Sequence, residues 1–426
     1  MPSASRICCL VTVLAIFALI GFDGRAQKAR DRAAAVALGA RLFMETGFSS
    51  KNGDLVSSCS SCHMFDEDPQ GVRAFTDFLA RSWVSWRAKD PRRDGLRNAP
   101  TILDAGESPR LHFDGEFGSL EELVKGTISG RTLGWLPDER EEALDQAYRV
   151  MVEGYRRDFL DAFGADVRRL GRDEAIDLAA RSISDYVRTL KTKRDSPYDR
   201  FIAANRLDRG PARGERSDAF ARRMLQRISS LEAKRELRLA EGFGPGALEG
   251  MKIFFRTDGA ASAGNCVSCH TPPLFTDFSF HNMGISQGEY DRLHGEGSFA
   301  SLEIPGAARA VRPSPRLREI PSRDKPGVVD LGHWNFVDLA TSPLRRRGES
   351  EDRFLQRMIA TFKTPTLRNL AFSQPYMHNG AFPSLESALE EIMRMSEMAR
   401  AGRVREADEG LARIRITEAD IARLVD

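Results

Sequence analysis

Cysteine is scarce in this chain, and neither sign of charge is in clear excess. Six of the 426 residues are cysteine, and 63 basic residues against 61 acidic ones leave a formal net charge of +2. A chain so close to neutrality gives no support for nucleic acid or an acidic membrane surface as a partner. Beyond residue 26, no apolar run is long enough to cross a bilayer. We therefore expect no nucleic-acid partner and no membrane span after that point.

Residues 1–26 are the one strongly apolar part of the chain. An early Arg6 precedes the apolar run Ile7–Ile20, which is short for a membrane span and is followed by small residues. This pattern predicts a secretory signal peptide and a periplasmic protein, with an uncleaved N-terminal anchor as the alternative. Cys8 and Cys9 begin the apolar run instead of following it, so a lipoprotein cleavage site is not expected. Cleavage would leave four cysteines.

These four cysteines form two copies of the pattern C-x-x-C-H and leave none for a disulfide. The copies are Cys59-Ser60-Ser61-Cys62-His63 and Cys266-Val267-Ser268-Cys269-His270. The pattern is the attachment signature of c-type haem. Two thiols three positions apart on a helical turn can add to the two vinyl groups of the porphyrin, and the adjacent imidazole then reaches the iron as proximal ligand. We therefore predict two covalently bound haem c groups.

Zinc or a redox dithiol is the alternative for each cysteine pair. Ribbon-type zinc sites place their pairs about 15–20 residues apart, whereas Cys62 and Cys266 are 266 − 62 = 204 positions apart. Zinc also gives no reason for a histidine after each pair. The haem interpretation is therefore the stronger one.

Other landmarks recur in the same order around the two motifs. A helical apolar pattern precedes each motif, and a Pro-Thr pair follows each of them. Pro100 precedes Ser119 by 119 − 100 = 19 positions, and Pro365 precedes Ser384 by 384 − 365 = 19 positions. The shared order and spacing indicate an internal duplication. We predict two related helical units, each with one haem.

Four further segments carry secondary-structure signals. Residues 176–190 repeat apolar side chains at helical spacing, and a helix at 417–425 is predicted to begin with a capping box. Residues 206–240 are charge-rich and helix-prone, which predicts a charged insertion. Prolines and glycines within 284–331 predict a long irregular loop.

The chain resembles the bacterial di-haem cytochrome c peroxidase and MauG family. Besides the two C-x-x-C-H motifs, the residues that carry the resemblance are Arg97-Asn98-Ala99-Pro100-Thr101, Asp195-Ser196-Pro197-Tyr198-Asp199, Phe275-Thr276-Asp277, His281-Asn282-Met283-Gly284, Lys363-Thr364-Pro365-Thr366-Leu367-Arg368-Asn369 and Pro375-Tyr376-Met377-His378-Asn379-Gly380. The resemblance implies a mainly α fold of two tandem cytochrome c-like helical domains, each with a covalent haem c. The expected divisions are a signal peptide at 1–26, an N-terminal cytochrome c-like domain at 27–170, a helical connector with the charged insertion at 171–245, and a C-terminal cytochrome c-like domain at 246–426.

The resemblance implies different functions for the two haems. It implies a peroxide-reactive haem on His63 in the N-terminal domain and an electron-transfer haem on His270 in the C-terminal domain. It also implies a calcium ion, for which Asn98, Ser373 and Pro375 stand at the matching positions.

The sixth ligand of the second haem departs from the family pattern. An iron with both axial positions filled only transfers electrons. In the family, the sixth ligand of the C-terminal haem iron is a Met or Tyr on the helix that here begins near Ser384. A gap-free match places Ile392 there, so Met393 is the nearest candidate and Met395 the next, with core packing as the alternative for both.

The first haem is expected to have an open distal side. The equivalent positions in the first half are Thr127 and Ile128, which do not ligate iron, and the chain has no histidine between His63 and His112. Both observations favour a five-coordinate haem that meets peroxide without prior reduction, as the resemblance to the MauG branch implies.

The residues that assist peroxide cleavage in the family are not all present. Cleavage needs a general acid–base that moves a proton between the two oxygens. The family Glu falls within 129–135, where this chain has no carboxylate, the family Gln is matched by Leu123, and the family Trp between the haems is matched by Phe113. The substitutes available in the sequence are Arg131, Glu139 and His112.

These features predict an oxidoreductase that reduces hydrogen peroxide with electrons from a small redox protein, such as a cytochrome c or a cupredoxin. One alternative is a MauG-like enzyme that oxidatively modifies a partner protein, with Trp83, Trp86 and Trp135 as candidate relays. A second alternative is a di-haem electron carrier or peroxide sensor without turnover, which the missing Glu motivates. A homodimer is one option for the assembly.

Overall fold

The computed structural model describes residues 30–68, 71–75, 84–90 and 94–426. The predicted signal peptide and Trp83 lie outside the described residues. Within these ranges no helix is both long and apolar enough to cross a membrane.

The described part of the chain is mainly helical, as predicted. Its helices are α1 (30–43), α2 (Cys59–Cys62), α3 (Leu120–Ile128), α4 (Arg140–Gly154), α5 (Arg156–Phe163), α6 (Arg172–Thr189), α7 (Pro197–Ala204), α8 (Ser217–Ala233), α9 (Pro245–Phe255), α10 (Ile285–His294), α11 (Glu351–Arg357), α12 (Leu385–Arg400) and α13 (Glu418–Val425). Two antiparallel two-stranded sheets accompany them: β1 (Met64–Asp68) with β2 (Gly71–Phe75), and β3 (Phe280–His281) with β4 (Phe362–Lys363). Met64 lies opposite Phe75, and Phe280 lies opposite Lys363.

The helices that apolar spacing predicts are confirmed. In α6 the side chains of Ile176, Ala179, Ile183 and Val187 are buried along one face, as an amphipathic helix requires. At the start of α13 the Thr417 side chain accepts from the Asp420 amide, and the Asp420 carboxylate accepts from the Thr417 amide at 2.9 Å. This reciprocal capping box satisfies two amides that the helix itself leaves without partners.

The prediction of an irregular loop over 284–331 is wrong for α10. That helix is held by buried polar groups, which an apolar pattern does not reveal. The Gln287 amide donates to the Arg403 carbonyl at 2.8 Å and accepts from the Arg405 amide at 2.9 Å. Tertiary hydrogen bonds therefore specify α10 where local sequence does not.

Two compact units divide the described residues. One unit comprises 30–61, 84–90 and 120–190, and the other comprises 62–68, 71–75, 94–119 and 191–426. The division into one domain per haem motif stays a prediction.

Each unit has a helix crossing at which only glycine fits. A Cβ atom on Gly39 of α1 would lie 1.9 Å from the Ser182 carbonyl oxygen in α6, and a Cβ atom on Gly250 of α9 would lie 1.9 Å from the Arg423 carbonyl oxygen in α13. Such distances exclude any side chain unless the helices separate. In both units the glycine-bearing helix precedes a C-x-x-C-H motif, which supports the predicted duplication.

Candidate haem-binding sites

The first motif occupies a short helix followed at once by its histidine. Helix α2 begins at Cys59 and ends at Cys62, so both thiols belong to one turn. The Ser58 amide donates to Ser61 Oγ at 3.0 Å, which fixes the start of the turn. Burial, together with the nearby His112, lowers the pKa of His63 to about 4, and a hydrogen bond to the Pro100 carbonyl opposes that shift. His63 is therefore neutral at physiological pH, the form in which imidazole binds metals.

The second motif has the geometry of a proximal ligand. Residues Cys266–Ser268 form a 3₁₀ turn, anchored by the fully buried Val267. His270 Nδ1 lies 3.0 Å from the Phe275 carbonyl oxygen, to which it can donate. Metal-bound histidines almost always make such a bond with the ring nitrogen that does not bind the metal. Donation from Nδ1 leaves Nε2 for iron, and burial lowers the pKa of His270 and keeps the ring neutral.

The two histidines also have equivalent surroundings. The main chain of Pro100 raises the pKa of His63, and that of Pro365 raises the pKa of His270, in both cases against the larger effect of burial. These prolines are the equivalent landmarks of the two halves. Paired thiols beside a neutral imidazole fit a covalently attached haem at both motifs.

A cavity of about 590 Å³ is lined in part by Phe275, the residue whose carbonyl accepts from His270. Its lining also includes the aromatic side chains of Phe254 and Phe372 and the basic side chains of Lys191 and Arg200.

A zinc site with four thiolates finds no support among the described residues. The clusters of His, Cys, Asp and Glu that could hold a metal ion contain one cysteine at most. That cysteine is Cys269, which lies with Asp277 and His281. Burial and the neighbouring Cys269 raise the pKa of the Cys266 thiol to about 12.

His281 is held between two carboxylates beside the second motif. Its Nε2 lies 2.9 Å from Asp277 Oδ2, and its Nδ1 lies 2.7 Å from Asp408 Oδ2. Burial alone would lower the pKa of His281, but the hydrogen bonds to both carboxylates carry it above its ordinary value. The side chain is therefore an imidazolium that keeps a fixed orientation.

A buried charge network lies around Arg97, in the first-half segment that follows His63. Arg97 forms a bidentate pair with Asp330, at 2.6 and 2.7 Å, and a second ion pair with the fully buried Asp114. Arg318 pairs with Glu116 at 2.5 Å, and Glu116 lies 3.2 Å from His112 Nδ1. The pairing of Arg97 with Asp330 was not predicted from the sequence, because 233 positions separate the two residues.

The predicted acid–base substitutes are engaged in ion pairs. Glu139 pairs with the buried Arg87 and accepts from the Leu136 amide at 3.0 Å. Arg131 pairs with Asp90 at 2.9 Å. Their catalytic assignment stays a prediction, and these contacts are those of residues that hold the fold.

The candidate sixth ligands lie on α12 in one apolar cluster. Met395 is fully buried, with its Sδ packed against Gly284, and Met393 is half-buried in the same cluster. Met398 accepts a hydrogen bond from Arg394 at 3.1 Å through its Sδ. The assignment of Met393 as an iron ligand stays a prediction.

The predicted calcium residues come together. Asn98 Nδ2 donates to the Pro375 carbonyl at 2.5 Å, and Ser373 lies two positions before that proline. Asn98 Oδ1 is buried and has no hydrogen-bond partner among the described residues. A carbonyl-type oxygen left in this way is a ligand that calcium prefers.

The tryptophans differ in their surroundings. Trp135 is buried and donates through Nε1 to the Phe48 carbonyl at 2.8 Å. Trp86 is 41% exposed. Trp135 thus has a structural partner, whereas Trp86 reaches the surface.

Comparison with known proteins finds similarity to di-haem cytochrome c peroxidases and MauG proteins. The family model for di-haem cytochrome c peroxidase matches residues 33–206. The chain is 25% identical to a cytochrome-c peroxidase, IdrP2, of Denitromonas iodatirespirans, over 91% of this chain and 82% of the relative. It is also 25% identical to the methylamine utilization protein MauG of Methylorubrum extorquens, over 85% of this chain and 69% of the relative.

Solved structures share the fold. The di-haem peroxidase BthA of Burkholderia thailandensis superposes with a TM-score of 0.53 at 20% identity, covering 92% of this chain and 84% of that one. A MauG-like protein associated with microbial copper homeostasis gives a TM-score of 0.51 at 20% identity, covering 92% of this chain and 87% of that one. With the family model matched over residues 33–206 and peroxidase and MauG relatives matched along most of its length, the chain is similar to the di-haem cytochrome c peroxidase and MauG family.

Proposed function

We propose that the chain is a periplasmic di-haem oxidoreductase that reduces hydrogen peroxide with electrons from a small redox protein. Two C-x-x-C turns, each followed by a half-buried histidine whose ring is neutral, are the observation that supports this most directly. Haem bound at His63 would supply an iron on which peroxide is reduced, H2O2 + 2 e⁻ + 2 H⁺ → 2 H2O. The two electrons would come from two one-electron donor proteins and would enter through the second site.

The chain's own residues orient and isolate the two sites. The Phe275 carbonyl fixes the ring orientation of His270. Burial lowers the pKa of both His63 and His270 and keeps their rings neutral. No histidine stands between His63 and His112 to block the distal side of the first site. We infer that the first site is open in the fully oxidised protein.

Spectroscopy of the purified holoprotein tests this proposal. In the oxidised state, absorption and EPR spectra should show two haem c groups, one high-spin and one low-spin. Peroxide consumption with a reduced donor should then follow, and His63→Gly should abolish it. Two low-spin haems, or no turnover with any donor, would contradict the proposal.

A calcium ion near Asn98 is part of the proposal. The buried Asn98 Oδ1 and the adjacent Pro375 carbonyl support it. Removal of calcium with EGTA should change the haem spectra, and readdition should restore them. The haem spectra of the Asn98→Ala variant should be insensitive to EGTA. A wild-type holoprotein with no bound calcium by elemental analysis would exclude the ion.

Two other functions have an observation in their favour. The exposed Trp86 and the MauG relatives favour oxidation of a partner protein. The ion pairs of Glu139 and Arg131 favour an electron carrier or sensor without turnover. Turnover only in the presence of a protein substrate would select the first, and peroxide-dependent spectral change without peroxide consumption would select the second.

A further inference from the structure

One face of α8 is buried against the second haem motif. Phe220, Met224 and Ile228 of this helix lie in one apolar cluster with Val267, one of the two residues between the thiols. The turn Cys266–Ser268 packs directly on α8. Because an α-helix with its side chains is about 10 Å across, the outer surface of α8 lies one helix diameter from the haem attachment turn.

The outer surface of α8 and its flanking segments is strongly basic. All ten basic residues between 206 and 238 are exposed, and we call them the α8 basic face: Arg206, Arg209, Arg213, Arg216, Arg222, Arg223, Arg227, Lys234, Arg235 and Arg238. Five acidic residues lie in the same stretch, so its net charge is 10 − 5 = +5. Since the whole chain carries +2, the remainder carries 2 − 5 = −3. The positive charge is therefore concentrated beside the second site.

Nearby acidic residues neutralise only part of this face. Asp208 and Glu215 both pair with Arg223, and Asp218 pairs with Arg216 and Arg222. Glu232 pairs with Lys252, which is outside the face. Three arginines of the face, among others, make no ion pair with a described residue: Arg209, Arg213 and Arg227. Their charges are available to a partner.

We propose that the α8 basic face docks the electron donor, and that this donor is a small redox protein with an acidic surface. The inference rests on the proposed function and names its partner by charge. A basic surface attracts an acidic protein and accelerates its association, most strongly at low ionic strength. Each docked donor gives one electron to the second site, so two donors serve one peroxide.

A charge-reversal triple variant tests the docking site on the holoprotein. The variant is R209E/R213E/R227E. A matched control, R309E/R323E/R347E, reverses three arginines that are also exposed and make no ion pair with a described residue, and that lie outside the α8 basic face. The probes are a reduced acidic cupredoxin, a reduced basic cytochrome c, and the small donor tetramethylphenylenediamine.

For the wild type we expect faster reduction by the acidic cupredoxin than by the basic cytochrome, with a rate that falls as salt is added. At low ionic strength the α8 triple variant should lose about 10-fold or more of the association rate constant for the cupredoxin, and its salt dependence should flatten. The control should change that rate constant by less than about 2-fold, which distinguishes local docking from a net-charge effect. Rates with the small donor should match the wild type in both variants.

Different results identify different failures. Equal losses in the two triple variants, or a wild type that prefers the basic cytochrome, would overturn the docking proposal. Absence of peroxide reduction with the small donor would overturn the proposed function instead. In that event, stopped-flow reduction of the second haem by the cupredoxin still decides docking, because it needs no turnover.

Discussion

Each haem motif is followed by a buried cation between two aspartates, but the two cations differ in chemistry. After His63 the cation is Arg97, between Asp114 and Asp330. After His270 it is His281, between Asp277 and Asp408. The first arrangement is less exposed to solvent. The Arg97, Asp114 and Asp330 side chains are 9%, 0% and 5% exposed. Those of His281, Asp277 and Asp408 are 19%, 25% and 26% exposed.

The difference shows how one charge arrangement can be permanent or titratable. An arginine keeps its charge at every physiological pH, so the Arg97 network is a fixed part of the fold. An imidazolium depends on its neighbours for its charge. The stabilisation that the Arg97 network contributes should therefore be constant across physiological pH, whereas the stabilisation from the His281 network should change with pH.

The largest expected effect is the loss of the first cation. Arg97→Met leaves the buried Asp330 without its guanidinium partner and leaves Asp114 with only the longer 3.6 Å pair to Arg318. Breaking a buried pair in this way costs about 3–5 kcal/mol. Urea denaturation of wild type and variant measures the change in the free energy of unfolding. Arg346→Met is the control, since Arg346 and Glu409 are 62% and 73% exposed and such pairs contribute about 0–1 kcal/mol. Equal losses in both variants would contradict the burial argument.

A second prediction concerns His333, whose Nδ1 donates to the Asp114 carbonyl at 2.7 Å and whose ring stacks on Phe280. Burial lowers the pKa of His333 to about 4, from 6.5. Between these values the unfolded chain binds more protons than the folded one, so the free energy of unfolding should fall by up to about 3 kcal/mol as pH falls from 6.5 to 4. His333→Phe keeps the stack and should remove this part of the slope. A slope unchanged in the variant would exclude His333 as its source.

How far the sequence predicts these features depends on how local their causes are. The two C-x-x-C-H motifs and the helices α6, α9 and α13 follow from residues close together in the chain. The pairing of Arg97 with Asp330 and the helix α10 depend on contacts between distant segments, which no local pattern encodes. A further local signal of the duplication is a shared Gly-x-x-aliphatic-Phe pattern, which occurs in Gly39-Ala40-Arg41-Leu42-Phe43 and in Gly250-Met251-Lys252-Ile253-Phe254.

That shared glycine gives a third prediction, which tests whether the two halves are equivalent. Gly39→Ala and Gly250→Ala each place a Cβ atom 1.9 Å from a carbonyl oxygen of the crossing helix. The helices must separate, and overpacking of this kind costs about 1–3 kcal/mol. Thermal unfolding of both variants should show similar losses, with Gly171→Ala as control because its Cβ would meet nothing within 4 Å. A loss in only one variant would show that the two crossings are not equivalent.

The smallest expected effect is the loss of the second cation. His281→Gln keeps a polar side chain but removes the charge between Asp277 and Asp408, and hydrogen bonds to charged groups contribute about 1.5–3 kcal/mol, with the lower end expected at this exposure. Because the folded pKa of His281 is raised, its contribution is complete below pH 6.5 and declines as pH rises through the folded value. Wild type and variant should therefore differ most in acid and converge in alkali, opposite in sign to His333. Denaturation curves measured across pH 5–9 would contradict this assignment if the difference grew with pH, since a neutral His281 would then be the folded form.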